Sequence, residues 1–279
     1  MNASADIAGL DRLTVADTSL LVRAGCADHT IVLLHGIGSR GFSFAPLMRT
    51  WPEGPRLIAW DAPGYGRSGA LRSDWPVACD YAARLGAVCN ALDAKRVHVV
   101  GHSFGCLIAG AVGRHEERRC GRIAFLSPAL GYKVAPADVL PVAHTARIAE
   151  IERLGAAEFA RRRAPRLVCN ASARPEVLAR VADAMSTMAL PGYAQAVRML
   201  ASGDLLEDAA QIRAATFVMS GDADVITPPG NARQLAEVLQ SRSGASCELL
   251  LVPDAGHALY LEAPEAILAH LSPFLAEAP

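Results

Sequence analysis

The sequence predicts an α/β protein in which a mostly parallel sheet carries helices on both faces. Short apolar runs alternate with segments of helical periodicity, the order expected of such a sheet. Most of the runs are continuous in Val, Ile and Leu, as strands buried on both faces are. The 279 residues can bury a large core, as one domain with an insertion or as two small domains. The candidate strands are Leu20–Arg23, Thr30–Leu34, Arg56–Trp60, Arg96–Val100, Arg122–Leu126, Thr216–Met219 and Cys247–Val252.

Helices are predicted between these strands. The segments Pro229–Gln240 and Pro264–Leu275 each carry a proline near their start, where the missing N–H is harmless to a helix. An earlier amphipathic helix is indicated by five residues that recur at spacings of three and four: Val77, Tyr81, Leu85, Val88 and Leu92.

One stretch lacks strand patterns and is predicted to be a helical cap inserted into the sheet domain. It covers residues 132–211, so that 1–131 and 212–279 form the core. An insertion at this point would lie over the carboxyl edge of the sheet, where open α/β sheets bind ligands. A separate helical subdomain without substrate contact is the alternative. The cluster Arg161-Arg162-Arg163 with Arg166 indicates a solvated helix face or, alternatively, an anion-binding role on the lid.

Composition favours a small-molecule partner. Charged residues make up 20% of the chain and the net charge is −1, so no strong field would attract nucleic acid or an acidic membrane. Seven cysteines without C-x-x-C spacing indicate a reduced, cytoplasmic setting. Met1–Leu13 lacks the features of a signal peptide, and no apolar run approaches the roughly 20 residues that cross a bilayer. The oligomeric state is left open.

The strongest catalytic signal is Gly101-His102-Ser103-Phe104-Gly105, which joins the strand Arg96–Val100 to the small, apolar stretch Cys106–Val112. A serine flanked by glycines at a strand-to-helix junction is typical of a nucleophile elbow. Such a turn forces the serine into a strained conformation that exposes its hydroxyl. The alternative is a turn of small residues that only packs two elements closely.

A serine nucleophile needs a base, and the base needs an acid that holds it in place. His257 follows the last strand in a loop from which it can reach the sheet edge. Structural roles are predicted for the strand residue His98 and the helix residue His270. Asp224 is the predicted acid, with Asp222 as the alternative.

Some folds of this type place the acid one strand earlier, but Leu126–Leu130 holds no carboxylate. The order Ser103, Asp224, His257 fits the nucleophile–acid–base order of hydrolases built on this elbow.

An acyl-transfer site also needs donors for the developing oxyanion. The N–H of Phe104 is one natural donor, and the N–H of Ile37, in the loop after an earlier strand, is the second. His35 in that loop is predicted to make a structural hydrogen bond rather than to act as a second base. Four residues of the insertion either line an apolar pocket or pack within the insertion: Met185, Met188, Tyr193 and Met199.

In these motifs the chain resembles the α/β-hydrolase superfamily from about Thr14 to Leu275. The resemblance implies an eight-stranded core, a helical cap, no cofactor or metal, and a Ser–Asp–His triad. In that family Gly-x-x-Asp usually carries the acid, which favours Asp224. The segments that carry the resemblance are Leu33–Gly38, Asp61–Ser68, Gly101–Gly105, Gly221–Asp224 and Gly256–His257.

Departures from the family bear on the substrate. The loop after His35 lacks the Gly-Pro-Gly run common in carbon–carbon bond hydrolases, and no tryptophan follows His257. Dehalogenases and epoxide hydrolases of the fold carry aspartate at the position of Ser103, so those chemistries are not expected.

The predicted activity is hydrolysis of a small-molecule carboxylic ester or lactone through an acyl-enzyme. The alternatives are a carbon–carbon bond hydrolase, a non-hydrolytic member that uses His257 with Asp224 as a base, and a binding protein without activity. A dinucleotide-dependent oxidoreductase is a further alternative, because Gly36–Gly41 reads G-x-G-x-x-G and Asp61 ends the next strand. Gly64–Gly69 matches the same pattern, so the pattern specifies little in this chain.

Overall fold

The computed structural model describes residues 8–136, 138–242, 244 and 246–277. They form an eight-stranded sheet with the strand order β1-β2-β4-β3-β5-β6-β7-β8. The pairs β1–β2 and β2–β4 are antiparallel, and the remaining pairs are parallel. The predicted mostly parallel sheet is therefore confirmed. The strands are β1 Asp11–Val15, β2 Thr18–Arg23, β3 Cys26–Leu34, β4 Pro55–Trp60, β5 Val97–His102, β6 Cys120–Leu126, β7 Thr216–Gly221 and β8 Cys247–Val252.

Helices cover both faces of the sheet because alternate residues of the inner strands point to opposite sides. Val32 and Leu34 of β3 join the larger apolar core, and Ile31 and Leu33 join the smaller one. The helices are α1 Ala45–Thr50, α2 Ala78–Ala91, α3 Phe104–His115, α4 Val142–Arg163, α5 Pro175–Ser186, α6 Leu190–Ser202, α7 Leu205–Ala209, α8 Pro229–Gln240, α9 Leu259–Glu262 and α10 Pro264–Phe274.

Strand β1 has no counterpart among the predicted strands. Four of its five residues are exposed and the fifth is half-buried, so the strand lacks the buried pattern that marks the others. The segment Met1–Leu13, interpreted above as free of a signal peptide, lies partly outside the described residues. None of the helices in the described part of the chain combines the length and apolar character needed to span a membrane.

The segment between β6 and β7 holds α4, α5, α6 and α7, and no strand interrupts its described residues. We call Val142–Ala209 the helical insertion. Its helix α4 is kinked at Gly155, which has φ 72° and ψ 160°. Two short 3-10 turns, Ala164–Leu167 and Ala171–Ala173, connect α4 to α5.

The helical insertion is tied to the sheet domain by close backbone contact and by hydrogen bonds. A Cβ added at Gly192 would lie 2.0 Å from the carbonyl oxygen of Gly64. The Gln195 side chain donates to the carbonyls of Leu71 at 2.7 Å and Ser73 at 2.8 Å. These contacts fix α6 against the loop that follows β4.

Candidate active site

Ser103 lies in the sharp turn between β5 and α3, in the strained backbone conformation that the sequence predicts. Its φ is 52° and its ψ is −114°, a sparsely populated region for a residue with a Cβ. The flanking glycines make the turn possible: a Cβ at Gly101 would lie 2.5 Å from the Gly105 carbonyl oxygen, and a Cβ at Gly105 would lie 2.3 Å from that of Leu34. The turn therefore packs against β3 and presents Ser103 at the carboxyl edge of the sheet.

His257 and Asp224 meet at the same edge, after β8 and β7 respectively. Nδ1 of His257 donates to Oδ2 of Asp224 at 2.9 Å, and the two residues are 4% and 3% exposed. The other carboxylate oxygen, Oδ1, accepts the N–H groups of Ile226 at 2.8 Å and Thr227 at 2.9 Å. Asp222, the alternative acid, is exposed.

The surroundings of Asp224 favour its charged form. Burial by itself would raise the pKa of this carboxyl, but the hydrogen bond and the charge of His257 and the N–H groups of Thr227 and Ile226 bring it below its ordinary value. The group is therefore a carboxylate at neutral pH. As an acceptor only, it requires the proton of His257 to reside on Nδ1, which leaves Nε2 as the free ring nitrogen.

Thr227 contributes a third side chain that the sequence interpretation missed. Its hydroxyl oxygen lies 2.9 Å from Asp224 Oδ2, 3.1 Å from His257 Nδ1 and 3.0 Å from the carbonyl oxygen of Ser127. The hydroxyl thus lies beside the bond between Asp224 and His257, within hydrogen-bond distance of both. Only the proximity to Asp224 in sequence could have drawn attention to it, because its contact with Ser127 spans 100 residues.

Ser103 and His257 both line one cavity of about 480 Å³. This volume is within the range of roughly 300–1,000 Å³ that small-molecule sites occupy. Among the hydrogen bonds of the described residues, none joins the Ser103 hydroxyl directly to His257. Hydrogen bonds of this kind are often long before a substrate is bound.

The loop Gly36–Gly38 approaches Ser103 closely. A Cβ at Gly36 would lie 3.1 Å from Cβ of Ser103 and 2.8 Å from Nδ1 of His102. Ile37 and Gly38 line the same cavity as Ser103. Within the described chain, the N–H groups of Ile37 and Phe104 donate to no other protein group. Two free donors thus belong to the two segments that meet at Ser103.

Three other histidines are held by backbone groups. Nδ1 of His35 donates to the carbonyl of Gly36 at 2.8 Å, and its Nε2 accepts the N–H of Ala62 at 2.9 Å, which confirms the predicted structural bond. His98 is likewise bonded through both ring nitrogens, to backbone groups 2.7 and 2.8 Å away. Nε2 of His102 donates to the carbonyl of His257 at 2.8 Å, and burial lowers the His102 pKa to about 3.

The glycine pattern Gly36–Gly41, on which the dinucleotide-binding alternative depends, contains a glycine that is needed for close packing. A Cβ at Gly41 would lie 2.7 Å from the carbonyl oxygen of Trp60, and the N–H of Gly41 donates to Asp61 Oδ1 at 2.9 Å. Asp61 thus joins the end of β4 to the segment that follows β3. Across the described residues, no three His, Cys, Asp or Glu side chains are grouped so that they could hold a metal ion.

The helical insertion supplies part of the cavity wall. Met185 and Tyr193 line the cavity, but Met188 and Met199 do not, and these two are buried within the packing instead. The arginines of the cluster 161–163 and 166 have different surroundings. Arg161 and Arg162 bind Glu158 on the exposed side of α4, whereas the cavity is lined by Arg147, Arg163 and Arg166.

Comparison with known proteins agrees with this architecture. The profile of the alpha/beta hydrolase family matches residues 31–270. The (E)-2-((N-methylformamido)methylene)succinate hydrolase of Acinetobacter baylyi is 25% identical over 263 residues, which cover 89% of this chain and 91% of that protein. The putative carbamate hydrolase RutD of Caulobacter sp. is 25% identical, with coverage of 88% and 90%. The enol-lactonase crystal structure from Burkholderia xenovorans superposes with a TM-score of 0.81 at 24% identity, covering 96% of this chain and 100% of that one.

Proposed function

The chain belongs to the alpha/beta hydrolase family, and from this premise we propose that it is a serine hydrolase of a small-molecule carboxylic ester or lactone. The hydrogen bond of 2.9 Å between buried His257 and Asp224, beside a cavity that Ser103 shares, is the observation that carries the proposal. Ser103 is the nucleophile, His257 the base and Asp224 the acid that orients it.

Acylation begins when the Ser103 oxygen attacks the substrate carbonyl and Nε2 of His257 takes the hydroxyl proton. The carbonyl oxygen becomes an oxyanion, for which the N–H groups of Ile37 and Phe104 are the donors. When the tetrahedral intermediate collapses, the bond to the alkoxide breaks and His257 returns the proton to the leaving oxygen. Asp224 stabilises the imidazolium in between.

Deacylation repeats these steps with water. His257 takes one proton from a water molecule, whose oxygen attacks the acyl carbon. The bond to Ser103 then breaks, and the serine oxygen receives the proton back from His257. The products are a carboxylic acid and the alcohol, or a single hydroxy acid from a lactone.

The helical insertion is assigned the role of a cap that walls the substrate cavity. Met185, Phe159 and Tyr193 give that wall an apolar surface, which suits the carbon skeleton of a small molecule. The named relatives act on a substituted succinate carrying an N-methylformamido group and, as a putative activity, on a carbamate. Both names fit attack at a carbonyl carbon, so a panel of esters and lactones is the first choice for finding the substrate.

The test is hydrolysis of p-nitrophenyl butyrate by the unmodified protein and by Ser103→Ala. Loss of the nucleophile should reduce kcat by roughly 10⁴-fold or more. A fluorophosphonate probe should label Ser103 in the unmodified protein and nothing in the variant.

Ser241→Ala is the matched control, because Ser241 is exposed at the end of α8 and its hydroxyl only donates to a carbonyl of that helix. It should keep full activity and full labelling. Equal hydrolysis by the unmodified protein and Ser103→Ala would refute the proposal.

A further inference from the structure

We propose that the substrate carries a carboxylate, which Arg147 and Arg166 of the helical insertion bind inside the cavity. The reaction of this substrate rests on the proposed function, whereas the binding of its carboxylate does not. It names the substrate class as a carboxylate-bearing ester or lactone.

The wall of the cavity is positively charged. Arg147, Arg163 and Arg166 line it, and no Asp or Glu belongs to the lining formed by the described residues. A cavity lined only by positive charges raises the local concentration of an anionic ligand. The chain as a whole has a net charge of −1, so this charge is local to the cavity.

The three arginines differ in what they already bind. Arg163 pairs with Glu150 at 2.9 Å and lies over the ring of Phe159, 4.8 Å from its centre. Its charge is therefore largely compensated. Neither Arg147 nor Arg166 forms an ion pair or a hydrogen bond with any described residue. They are the two lining cations whose charge is left without a protein partner.

Arg147 also holds a buried donor without a partner. Its Nε is inaccessible to solvent and forms no hydrogen bond in the described structure. Leaving such a donor unpaired is unfavourable, and more so for a charged group. The Nη groups of Arg147 are not buried in this way, so they are the donors that a ligand in the cavity can reach.

The hydroxyl of Tyr193 is a second unpaired donor on the same wall. Tyr193 is 1% exposed, its hydroxyl has no partner among the described residues, and the residue lines the cavity. A carboxylate accepts up to about four hydrogen bonds, and the planar guanidinium fork matches its two oxygens. The guanidinium groups of Arg147 and Arg166 are therefore the donors of this cavity that suit a carboxylate.

The first experiment compares two esters of similar size, mono-p-nitrophenyl glutarate and p-nitrophenyl valerate. The unmodified protein should have the higher kcat/KM for the glutarate ester. Arg147→Met should reduce the ratio of the two kcat/KM values by roughly 10- to 100-fold, the range for loss of a charge-assisted hydrogen bond. Arg166→Met, at an exposed position, should reduce the same ratio.

The control is Arg161→Met on the same helix. The Arg161 side chain is 72% exposed and bound to Glu158, outside the cavity lining. It should leave both rates and their ratio unchanged. A preference for the valerate ester in the unmodified protein, or the same ratio in Arg147→Met and Arg161→Met, would overturn the proposal.

A binding measurement separates this inference from the serine chemistry. Calorimetry should show glutarate binding to Ser103→Ala, weakened about 10-fold or more by adding Arg147→Met but not Arg161→Met. If neither ester is hydrolysed but glutarate binds in this pattern, the hydrolase proposal fails and the carboxylate site stands. If the esters are hydrolysed and glutarate does not bind, only the carboxylate site fails. Tighter binding of inorganic phosphate than of glutarate would also overturn the assignment to a carboxylate.

Discussion

The carboxylate of Asp224 is held by donors on both of its oxygens. Two backbone N–H groups bind Oδ1, while the Thr227 hydroxyl and His257 Nδ1 lie 2.9 Å from Oδ2. Hydrogen bonds to an ionised acceptor are roughly twice as strong as those between neutral groups. This arrangement keeps the carboxylate ionised although it is buried, and it fixes the plane in which His257 is oriented.

Replacing Asp224 by Asn should reduce kcat by roughly 10⁴-fold while the fold is retained. The amide oxygen can still accept the two backbone N–H groups. The amide nitrogen, however, donates to Nδ1 of His257 and moves the ring proton to Nε2, so that Nε2 can no longer accept the proton of Ser103. Steady-state hydrolysis of p-nitrophenyl butyrate and circular dichroism would measure the two effects.

Asp222→Asn is the matched control for this prediction, because Asp222 is exposed two residues away. It should leave kcat unchanged. An equal loss in both variants, or no loss in Asp224→Asn, would show that Asp224 does not orient the base.

The side chains that converge here were predictable to different degrees. Ser103 lies in a turn whose glycines and flanking elements mark it locally. The choice between Asp222 and Asp224 depends on how the chain turns after β7, where the N–H of Asp222 bonds to the carbonyl of Val252. That contact belongs to a distant strand, so the local sequence leaves both carboxylates open. Thr227 escapes prediction for the same reason.

At the scale of elements, strands with buried faces were predictable and the exposed strand β1 was not. The helical character of the insertion also followed from the sequence, but the kink at Gly155 did not, because its position depends on a left-handed φ of 72°. Arg147 lies in the part of α4 before the kink, and Arg163 lies in the part after it. The consecutive residues Arg161, Arg162 and Arg163 point in different directions because each helical residue advances by about 100°.

Helix α6 should depend on the absence of a side chain at position 192. Gly192→Ala places a methyl group 2.0 Å from the Gly64 carbonyl oxygen, so α6 or the facing loop must move. Overpacking of this kind typically costs about 1–3 kcal/mol, which exceeds the gain of up to about 1 kcal/mol in helix propensity. Urea denaturation should therefore show a lower free energy of unfolding.

Gly230→Ala provides the comparison at a similar position in a helix. Gly230 is the second residue of α8, and apart from its chain neighbours and the backbone of its own helix no atom would lie within 4 Å of an added Cβ. This variant should be as stable as the unmodified protein or slightly more stable. If both substitutions have the same effect, the contact between α6 and the sheet domain does not contribute to stability.

At the scale of the whole molecule, the two apolar cores enclose several histidines in neutral form. Burial, together with a smaller effect of the neighbouring His257, lowers the pKa of His102 to about 3. Burial likewise lowers the pKa of His98 to about 4, with smaller effects of His29 and Arg122 in the same direction. Burial also lowers the pKa of His35. These rings serve as hydrogen-bonding partners of the backbone, and their protonation would oppose folding.

The free energy of unfolding should consequently fall as the pH is lowered from about 6.5. In the unfolded chain each histidine takes up a proton near its ordinary pKa of about 6.5, whereas in the folded chain His98 does so only near pH 4 and His102 only near pH 3. Between these values the unfolded state binds more protons, so stability decreases towards acid by about 1.4 kcal/mol per pH unit for each proton. Urea denaturation at pH 7, 6 and 5 measures this slope.

The variant His98→Gln keeps a donor and an acceptor but does not titrate, so it should reduce the dependence of the free energy of unfolding on pH. The variant His115→Gln, at an exposed position, should not reduce it. A free energy of unfolding that stays constant from pH 7 to pH 5 would contradict the neutral burial of these rings.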